Sequence, residues 1–238
     1  MRPEGTPPAV VPAAPIIDVS LLRARPRPVG RYTIAGELVK DLADRVLAAL
    51  GLAAVAPLLL LIAIAIRIDS PGAALFRQVR VGRNGRPFVF YKFRGMYRDA
   101  RERFPEMYDY AYSADEARNL RFHAGDDPRV TRLGRFLRRT SLDELPNLIN
   151  VVIGQMSLIG PRPEIPELIA YYGAAADEIL SVKPGIASLA KVVGRDHITF
   201  SETLELDLEY VRNRSFLGDL RLIFATVYLV VMGRSVGH

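Results

Sequence analysis

Residues Val46 to Ile66 form a run of 21 residues without a charged side chain, bounded by Lys40, Asp41, Asp44 and Arg45 on one side and by Arg67 and Asp69 on the other. No other feature constrains the fold as much, because an apolar helix of this length exceeds what a small soluble core takes up and signals a membrane. At about 1.5 Å per residue the run would measure about 30 Å, just enough to cross the hydrocarbon layer if straight. Pro57 argues against straightness, since it removes a backbone donor and divides the run into parts of eleven and nine residues. Basic residues lie on both sides, Lys40 and Arg45 before and Arg67, Arg77, Arg80, Arg83 and Arg86 after, so the positive-inside tendency favours neither direction of crossing. Residues 36–68 are therefore predicted to be a proline-broken, re-entrant membrane helix with both flanks in the cytoplasm. An ordinary spanning helix with a tolerated proline is the alternative.

The rest of the chain can bury a real core: it has 238 residues in all. The absence of cysteine removes disulfides, thiolate metal sites and cysteine nucleophiles from consideration. The net charge is +6, and Arg67 to Arg139 carries sixteen Arg and one Lys against nine acidic residues. Such an excess suits anionic lipid or a polyphosphate substrate, and Arg favours bidentate phosphate contacts, although a codon bias would give the same count. Nucleic acid is disfavoured as a partner by the apolar run together with an acidic pair described below. The three histidines have no ligand spacing among them, and there is no glycine-rich phosphate loop, so zinc, a histidine triad and a Walker-type site are all disfavoured.

Residues 1–35 carry a proline-rich stretch with no signal-peptide pattern and read as a disordered tail. Residues 69–238 read as one compact cytoplasmic catalytic domain with interfacial amphipathic helices, giving a helix-rich α+β class overall. A β-hairpin is predicted from Arg77 to Phe93 around Gly82-Arg83-Asn84-Gly85. Residues 98–122, with tyrosines at 108, 110 and 112, read as an irregular or helical insertion that could serve as a lid. Helices are predicted at Leu133–Arg139, Pro146–Ile153, Glu164–Leu180 and Glu202–Asn213, with turns at Asp126–Arg129 and at Lys183-Pro184-Gly185. The apolar stretch Leu222–Met232 is too short to cross a membrane, and lies in the interface or docks on the first helix.

Chemistry concentrates in Ser141-Leu142-Asp143-Glu144-Leu145-Pro146 and in Gly160-Pro161-Arg162-Pro163-Glu164. A carboxylate can attack phosphorus or hold a hard cation such as Mg²⁺, and a guanidinium between two prolines is stiffly placed for phosphate oxygens. Ser141-x-x-Glu144 also fits a helix capping box, but Pro146 would then fall in the second turn, where its missing N–H is a cost. A helix starting near Pro146 is at least as good a reading, with Asp143 and Glu144 just before it.

These motifs, together with Asp69-Ser70-Pro71-Gly72, Gln78-x-Arg80-x-Gly82, Tyr91-Lys92-Phe93-Arg94, Asp127-Pro128-Arg129-Val130-Thr131, Lys183-Pro184-Gly185-Ile186 and Gly194-Arg195, run in an order that resembles the bacterial sugar transferases, monotopic polyprenyl-phosphate phosphoglycosyl transferases. The resemblance spans roughly Lys40 to Val227 and suggests a minimal catalytic unit. It implies transfer of a hexose 1-phosphate from a nucleoside diphosphate sugar, usually UDP-linked, to polyprenyl (undecaprenyl) phosphate at the bacterial inner membrane, with Mg²⁺ as cofactor. Asp143 maps onto the nucleophile of a covalent phosphosugar intermediate and Glu144 onto a metal or acid/base role, both being candidate metal ligands. Lys92, Arg138, Arg162 and Arg195 map onto phosphate-binding positions, Asp219 and, more weakly, Asp207 onto supporting ones, and Pro57 onto the membrane kink. The chain departs from the family pattern at Ala56, Gly95, Ala187-Ser188 and Lys191, where Ser, Ser or Thr, Thr-Gly and Gln are usual. A homodimer is left open, and a catalytically silent membrane scaffold for glycan assembly is the alternative function, opposed by the intact Asp143-Glu144 pair.

Overall fold

The computed structural model describes residues 32–121, 127–193 and 198–231. Of the sequence expectations, most of the 1–35 tail, Asp126, Arg195 and Met232 lie outside the described residues. The described chain is a helix-rich α+β structure with a long apolar N-terminal helix and a small antiparallel hairpin.

Helix α1 (Ile34–Asp69) starts at the N-cap Thr33, whose hydroxyl accepts from the Gly36 N–H, and runs 36 residues. It is long and apolar enough to cross a membrane by length and composition. The apolar run is not split into two helices at Pro57, because a proline removes one backbone donor while its fixed φ still fits a helix. Asp44, Ala48, Ile62 and Ile66 are buried, with Gly51, Leu52, Val55 and Leu59 half-buried between them. That spacing of three and four residues is a single stripe, and it continues past the proline. Opposite it, Val46, Leu50, Leu58, Leu61 and Ile64 are exposed.

Strands β1 (Leu75–Val81) and β2 (Pro87–Phe93) pair antiparallel from Leu75 opposite Phe93 to Val81 opposite Pro87, as the sequence predicts. The 98–122 insertion holds two short helices, α2 (Ala100–Arg103) and α3 (Ala114–Asn119), and packs on the body through Tyr171, whose hydroxyl accepts from the Tyr112 N–H. Helix α4 (Arg132–Thr140) is capped by Thr131 and ends at Ser141, which is left-handed with φ of 57°. The capping box at Ser141 is therefore absent. Leu142–Glu144 form one tight turn, and helix α5 (Asn147–Val152) begins immediately after Pro146 and ends before Gly154.

Two further elements differ from expectation. Glu164–Leu180 is not one helix but α6 (Pro166–Ile169), a 3₁₀ segment Ala170–Ala175 and α7 (Ala176–Ile179), because Gly173 takes φ 53°, ψ −134°, a conformation that no helix contains. The second is a parallel pair, β3 (Ser157–Ile159) with β4 (Gly185–Ala187). Helices α8 (Leu189–Val193), α9 (Phe200–Asn213) and α10 (Phe216–Val231) complete the fold. The inner side of α10 sets Leu222 and Ile223 on a cluster of Ile159, Val182, Tyr210 and Val211, while Phe216, Leu217, Phe224, Val227 and Tyr228 remain exposed.

The core around the future site is layered on α1. Ala48 packs with Phe88, Phe90, Val151 and Met156, and Ile62 and Ile66 pack with Phe93 and Leu137. Asn150, fully buried, ties α5 to β2: its Nδ2 donates to Val89 O at 2.6 Å and to Gln155 Oε1 at 2.8 Å, and its Oδ1 accepts from Tyr91 N–H at 3.2 Å. At the C-terminal end of α1, the buried Arg94 donates to the carbonyls of Ser70 and Pro71, both at 2.7 Å.

Candidate active site

An open cleft is lined by Arg80, Phe90 and Lys92 from the hairpin, Glu144 and Asn147 from the start of α5, Arg162 and Pro163, and Gly185, Ile186, Ser188 and Lys191. Two separate sequence motifs meet here because β3 and β4 are in close register. Gly160 N–H donates to Ala187 O at 3.0 Å and Gly185 N–H to Pro161 O at 2.8 Å. A Cβ on Gly160 would fall 2.4 Å from Lys183 O, and one on Gly185 would fall 2.1 Å from Gly160 N, so neither position admits a side chain without parting the strands.

Glu144 lies on the cleft wall in ion contact with Lys191 Nζ. Asp143, beside it in the tight turn, is only 8% exposed. Burial and the adjacent Glu144 push the Asp143 carboxyl up to about 6, against the attraction of Lys92, Lys191 and Arg138. Burial acts on Glu144 in the same sense, but Lys191, then Arg162 and Lys92, outweigh it and hold Glu144 below the usual carboxylate range. Burial also lowers the Lys92 ammonium to about 8, with Asp143 as the main opposing charge. One carboxylate is thus fixed by a cation, while its neighbour is a buried group of raised basicity facing several cations. Such a group is a competent nucleophile near neutral pH.

The guanidiniums are held from behind. Arg162 Nε donates to Glu164 Oε1 at 3.1 Å, and its backbone N–H donates to Asp207 Oδ2 at 3.3 Å. Glu164 also reaches Arg80 Nη1 at 3.4 Å, so one buried carboxylate bridges two arginines of the cleft. Arg80 further donates to Pro163 O and to Gln78 Oε1, both at 2.9 Å, and its guanidinium lies 5.3 Å above the Phe90 ring. Arg138, in the last turn of α4, stands 3.8 Å from Asp127, and Asp127 in turn takes a two-pronged contact from Arg129 at 2.9 Å.

The structure therefore brings Lys92, Glu144 and Arg162 to one cleft wall, with Asp143 adjacent to Glu144 and Arg138 close enough to act on both Asp143 and Lys92. Asp207 is 1% exposed and supports the backbone of Arg162, and burial pushes its carboxyl well above the usual range. Asp219 is placed elsewhere. It accepts from Tyr32 and Tyr210 hydroxyls at 3.0 and 2.9 Å and pairs with Lys40 of α1 at 2.8 Å, tying α10 to α1 rather than lining the cleft. Arg80, Asn147, Ser188 and Lys191 line the cleft but were not singled out as site residues by sequence. For Arg80 the signal was present in Gln78-x-Arg80-x-Gly82, and for Lys191 in its replacing a usual Gln.

Among the described residues no three His, Asp or Glu side chains gather to hold a metal. Asp143 and Glu144 are the carboxylates beside the cleft that could hold a hard cation such as Mg²⁺, with substrate phosphate and water completing its shell.

The chain is similar to known proteins over most of its length. Residues 35–233 match the family described as bacterial sugar transferase. The chain is 34% identical to the exopolysaccharide production protein ExoY of Sinorhizobium fredii, over 88% of this chain and 93% of that protein. It is 42% identical to the UDP-glucose:undecaprenyl-phosphate glucose-1-phosphate transferase of Caulobacter vibrioides, over 88% of this chain and 76% of that one. Against the galactosyl transferase CpsE of Streptococcus agalactiae the identity is 42% over 68% of this chain, which spans about a third (35%) of that longer protein. A match over nearly all the described residues, through the elements that build the cleft, places this chain in the bacterial sugar transferase family.

Proposed function

We propose that this chain transfers a hexose 1-phosphate from a UDP-sugar to polyprenyl phosphate, by way of a phosphosugar carried on Asp143. The observation that carries the reading is the buried Asp143 carboxylate beside a wall of cations: Lys92, Arg162 and Lys191, with Arg138 close by. In the first half-reaction an Asp143 oxygen attacks the phosphorus next to the sugar. The bond from that phosphorus to the bridging oxygen breaks, UMP leaves with the electron pair, and an acyl phosphate remains on Asp143. In the second half-reaction a phosphate oxygen of the polyprenyl carrier attacks the same phosphorus, restoring the Asp143 carboxylate and releasing polyprenyl diphosphate sugar. Lys92 and Arg162 offset the charge that spreads over the phosphoryl oxygens, while Glu164 and Asp207 keep Arg162 in place. Mg²⁺ held by Glu144 and Asp143 with the diphosphate would neutralise charge on the leaving group. The names of the relatives support the substrate classes, since one is a UDP-glucose:undecaprenyl-phosphate glucose-1-phosphate transferase.

The membrane reading rests on α1. Its buried stripe is seated on the body at Asp44 and Ala48 near one end and at Ile62 and Ile66 near the other, so both flanks of the apolar run lie against the same catalytic body. A helix seated at both ends on one domain favours entry and return over crossing, with the body on the cytoplasmic face and the exposed apolar residues of α1 and α10 toward lipid.

Intact-mass measurement after incubation with UDP-glucose or UDP-galactose and Mg²⁺, without acceptor, tests the chemistry. The expected result is one added hexose phosphate, absent in Asp143→Asn, with ping-pong kinetics once acceptor is present. Rates that require both substrates to be bound together, with no adduct under any condition, would refute the covalent route.

A further inference from the structure

Asn147 and Asn150 stand one turn apart on α5, and both are buried, but their amides are used in opposite ways. Every polar atom of the Asn150 amide is paired, to Val89, Gln155 and Tyr91. Asn147 is 1% exposed, and neither its Nδ2 nor its Oδ1 has a hydrogen-bond partner in the protein. A buried amide left unpaired is costly, and an apolar side chain of the same shape would be cheaper at this position, next to Phe90 and Ile186 on the cleft wall. The orphaned amide lines the same cleft as Lys92, Glu144 and Arg162.

We propose that Asn147 is a specificity residue of the cleft, its side-chain amide pairing with hydroxyl groups of the donor hexose. This rests on the transferase reading above. An amide presents a donor and an acceptor side by side. Phosphate oxygens offer only acceptors, for which the cleft cations Lys92 and Arg162 are the better partners; a polyprenyl chain offers neither. A hexose hydroxyl both donates and accepts, as does the imide edge of a pyrimidine base. Placement separates these two. Asn147 follows Glu144 by three residues through right-handed backbone at Leu145 and Pro146, and both line the cleft, with Asp143 the chain neighbour of Glu144. In an in-line displacement the leaving nucleotide lies opposite the attacking carboxylate, whereas the hexosyl oxygen is equatorial. The amide on the side of Asp143 therefore meets the sugar.

The test uses full-length protein in the Asp143→Asn background, where no transfer competes with binding. Affinities for UDP, UDP-glucose and UDP-galactose are measured with and without Asn147→Leu, and with Asn147→Ala as the second variant should the larger side chain not fit. The expected result is an affinity for at least one UDP-hexose that falls about tenfold, the size expected for a lost hydrogen-bonded pair, with UDP affinity unchanged and the melting temperature of Asn147→Leu equal or higher. Equal loss for UDP and UDP-hexose would place the amide on the nucleotide and overturn the hexose assignment. Unchanged affinities, with or without a lower melting temperature, would overturn it as well. In the Asp143-containing protein, transfer that Asn147→Leu leaves unaltered refutes this assignment alone, whereas no transfer from any UDP-hexose refutes the transferase reading and the assignment with it.

Discussion

Asp143→Asn should inactivate the protein and make it more stable at neutral pH. The native carboxyl is raised from 3.8 to about 6 by burial and by Glu144, so the fold favours its protonated form. Stability linked to that proton is fully present below about pH 4, is lost as pH rises through about 6, and stays lost above it. At about 1.4 kcal/mol for each tenfold change in proton affinity, the native carboxylate costs the folded state about 3 kcal/mol at pH 7. Asparagine keeps nearly the same shape without the charge. The pull of Lys92 on the carboxylate is already contained in that net shift, so an increment of up to about 3 kcal/mol is expected above pH 7, shrinking toward zero near pH 4. Thermal unfolding of both proteins in the same detergent or nanodisc, at half-unit steps from pH 4 to 8, gives the increment directly. Because other carboxylates are common to the two proteins, their titration cancels in the difference. A variant less stable than the parent at pH 7, or an increment that does not change with pH, would show that Asp143 is a satisfied structural carboxylate and remove the basis for its role as nucleophile.

Two further outcomes follow from the same geometry. The profile of kcat/KM against pH should be a bell, with an acid limb near 6 where Asp143 takes up a proton and an alkaline limb near 8 where Lys92 loses one; steady-state rates from pH 5 to 9 check this, and a flat profile across that range contradicts both assignments. Single cysteines placed at residue 35 and at residue 84, in a chain with no native cysteine, should both resist an impermeant periplasmic reagent, and labelling of the first alone would mean that α1 spans; Pro57→Leu should shift the pattern toward spanning.

The elements that sequence locates well carry their own punctuation. The hairpin is bounded by Gly82 and Gly85, α4 by Thr131 and Ser141, and the start of α5 by Pro146, whose missing N–H excludes the competing capping box. Helix α9 begins at a reciprocal cap between Thr199 and Glu202, two residues before the predicted start. What sequence misses is set by distant parts of the chain. A three-residue strand has no readable period, and β3 meets β4 only because Gly160 and Gly185 let their backbones approach. Gly173 looks like a tolerated helical glycine until its ψ of −134° is seen. Adjacent carboxylates also stand at Asp115-Glu116, Asp126-Asp127 and Asp177-Glu178, and Pro26-Arg27-Pro28 repeats the proline-flanked arginine, so Asp143-Glu144 and Arg162 are legible through the ordered set of motifs around them rather than in themselves. Asn147 is a common residue type, made distinctive only by the unpaired amide that the fold leaves in the cleft wall, and Lys191, visible in sequence only as a departure, gains its meaning from its contact with Glu144.

The position of α1 links the two halves of the proposed reaction. Ile62 and Ile66 pack on Phe93 and Leu137, the chain neighbours of Lys92 and Arg138, and Ala48 packs on Phe90 and Val151, from the strand and helix that carry Lys92 and Asn147. Arg94 fastens the far end of the same helix by its bonds to Ser70 and Pro71, and Lys40 fastens the near end through Asp219. The outer side of α1 is apolar and exposed, so that surface and the cleft cations are opposite sides of one packed layer. A close-packed layer moves as a unit, because its side chains cannot slide past one another without opening voids. On the proposed reading, the depth of α1 in the lipid therefore sets the height of Asp143 relative to the phosphate of a lipid-borne acceptor. The same reading accounts for a helix of 36 residues being built into the body rather than attached by a linker. A tethered helix would hold the enzyme near the membrane, but only a packed one holds the nucleophile at a fixed distance from it.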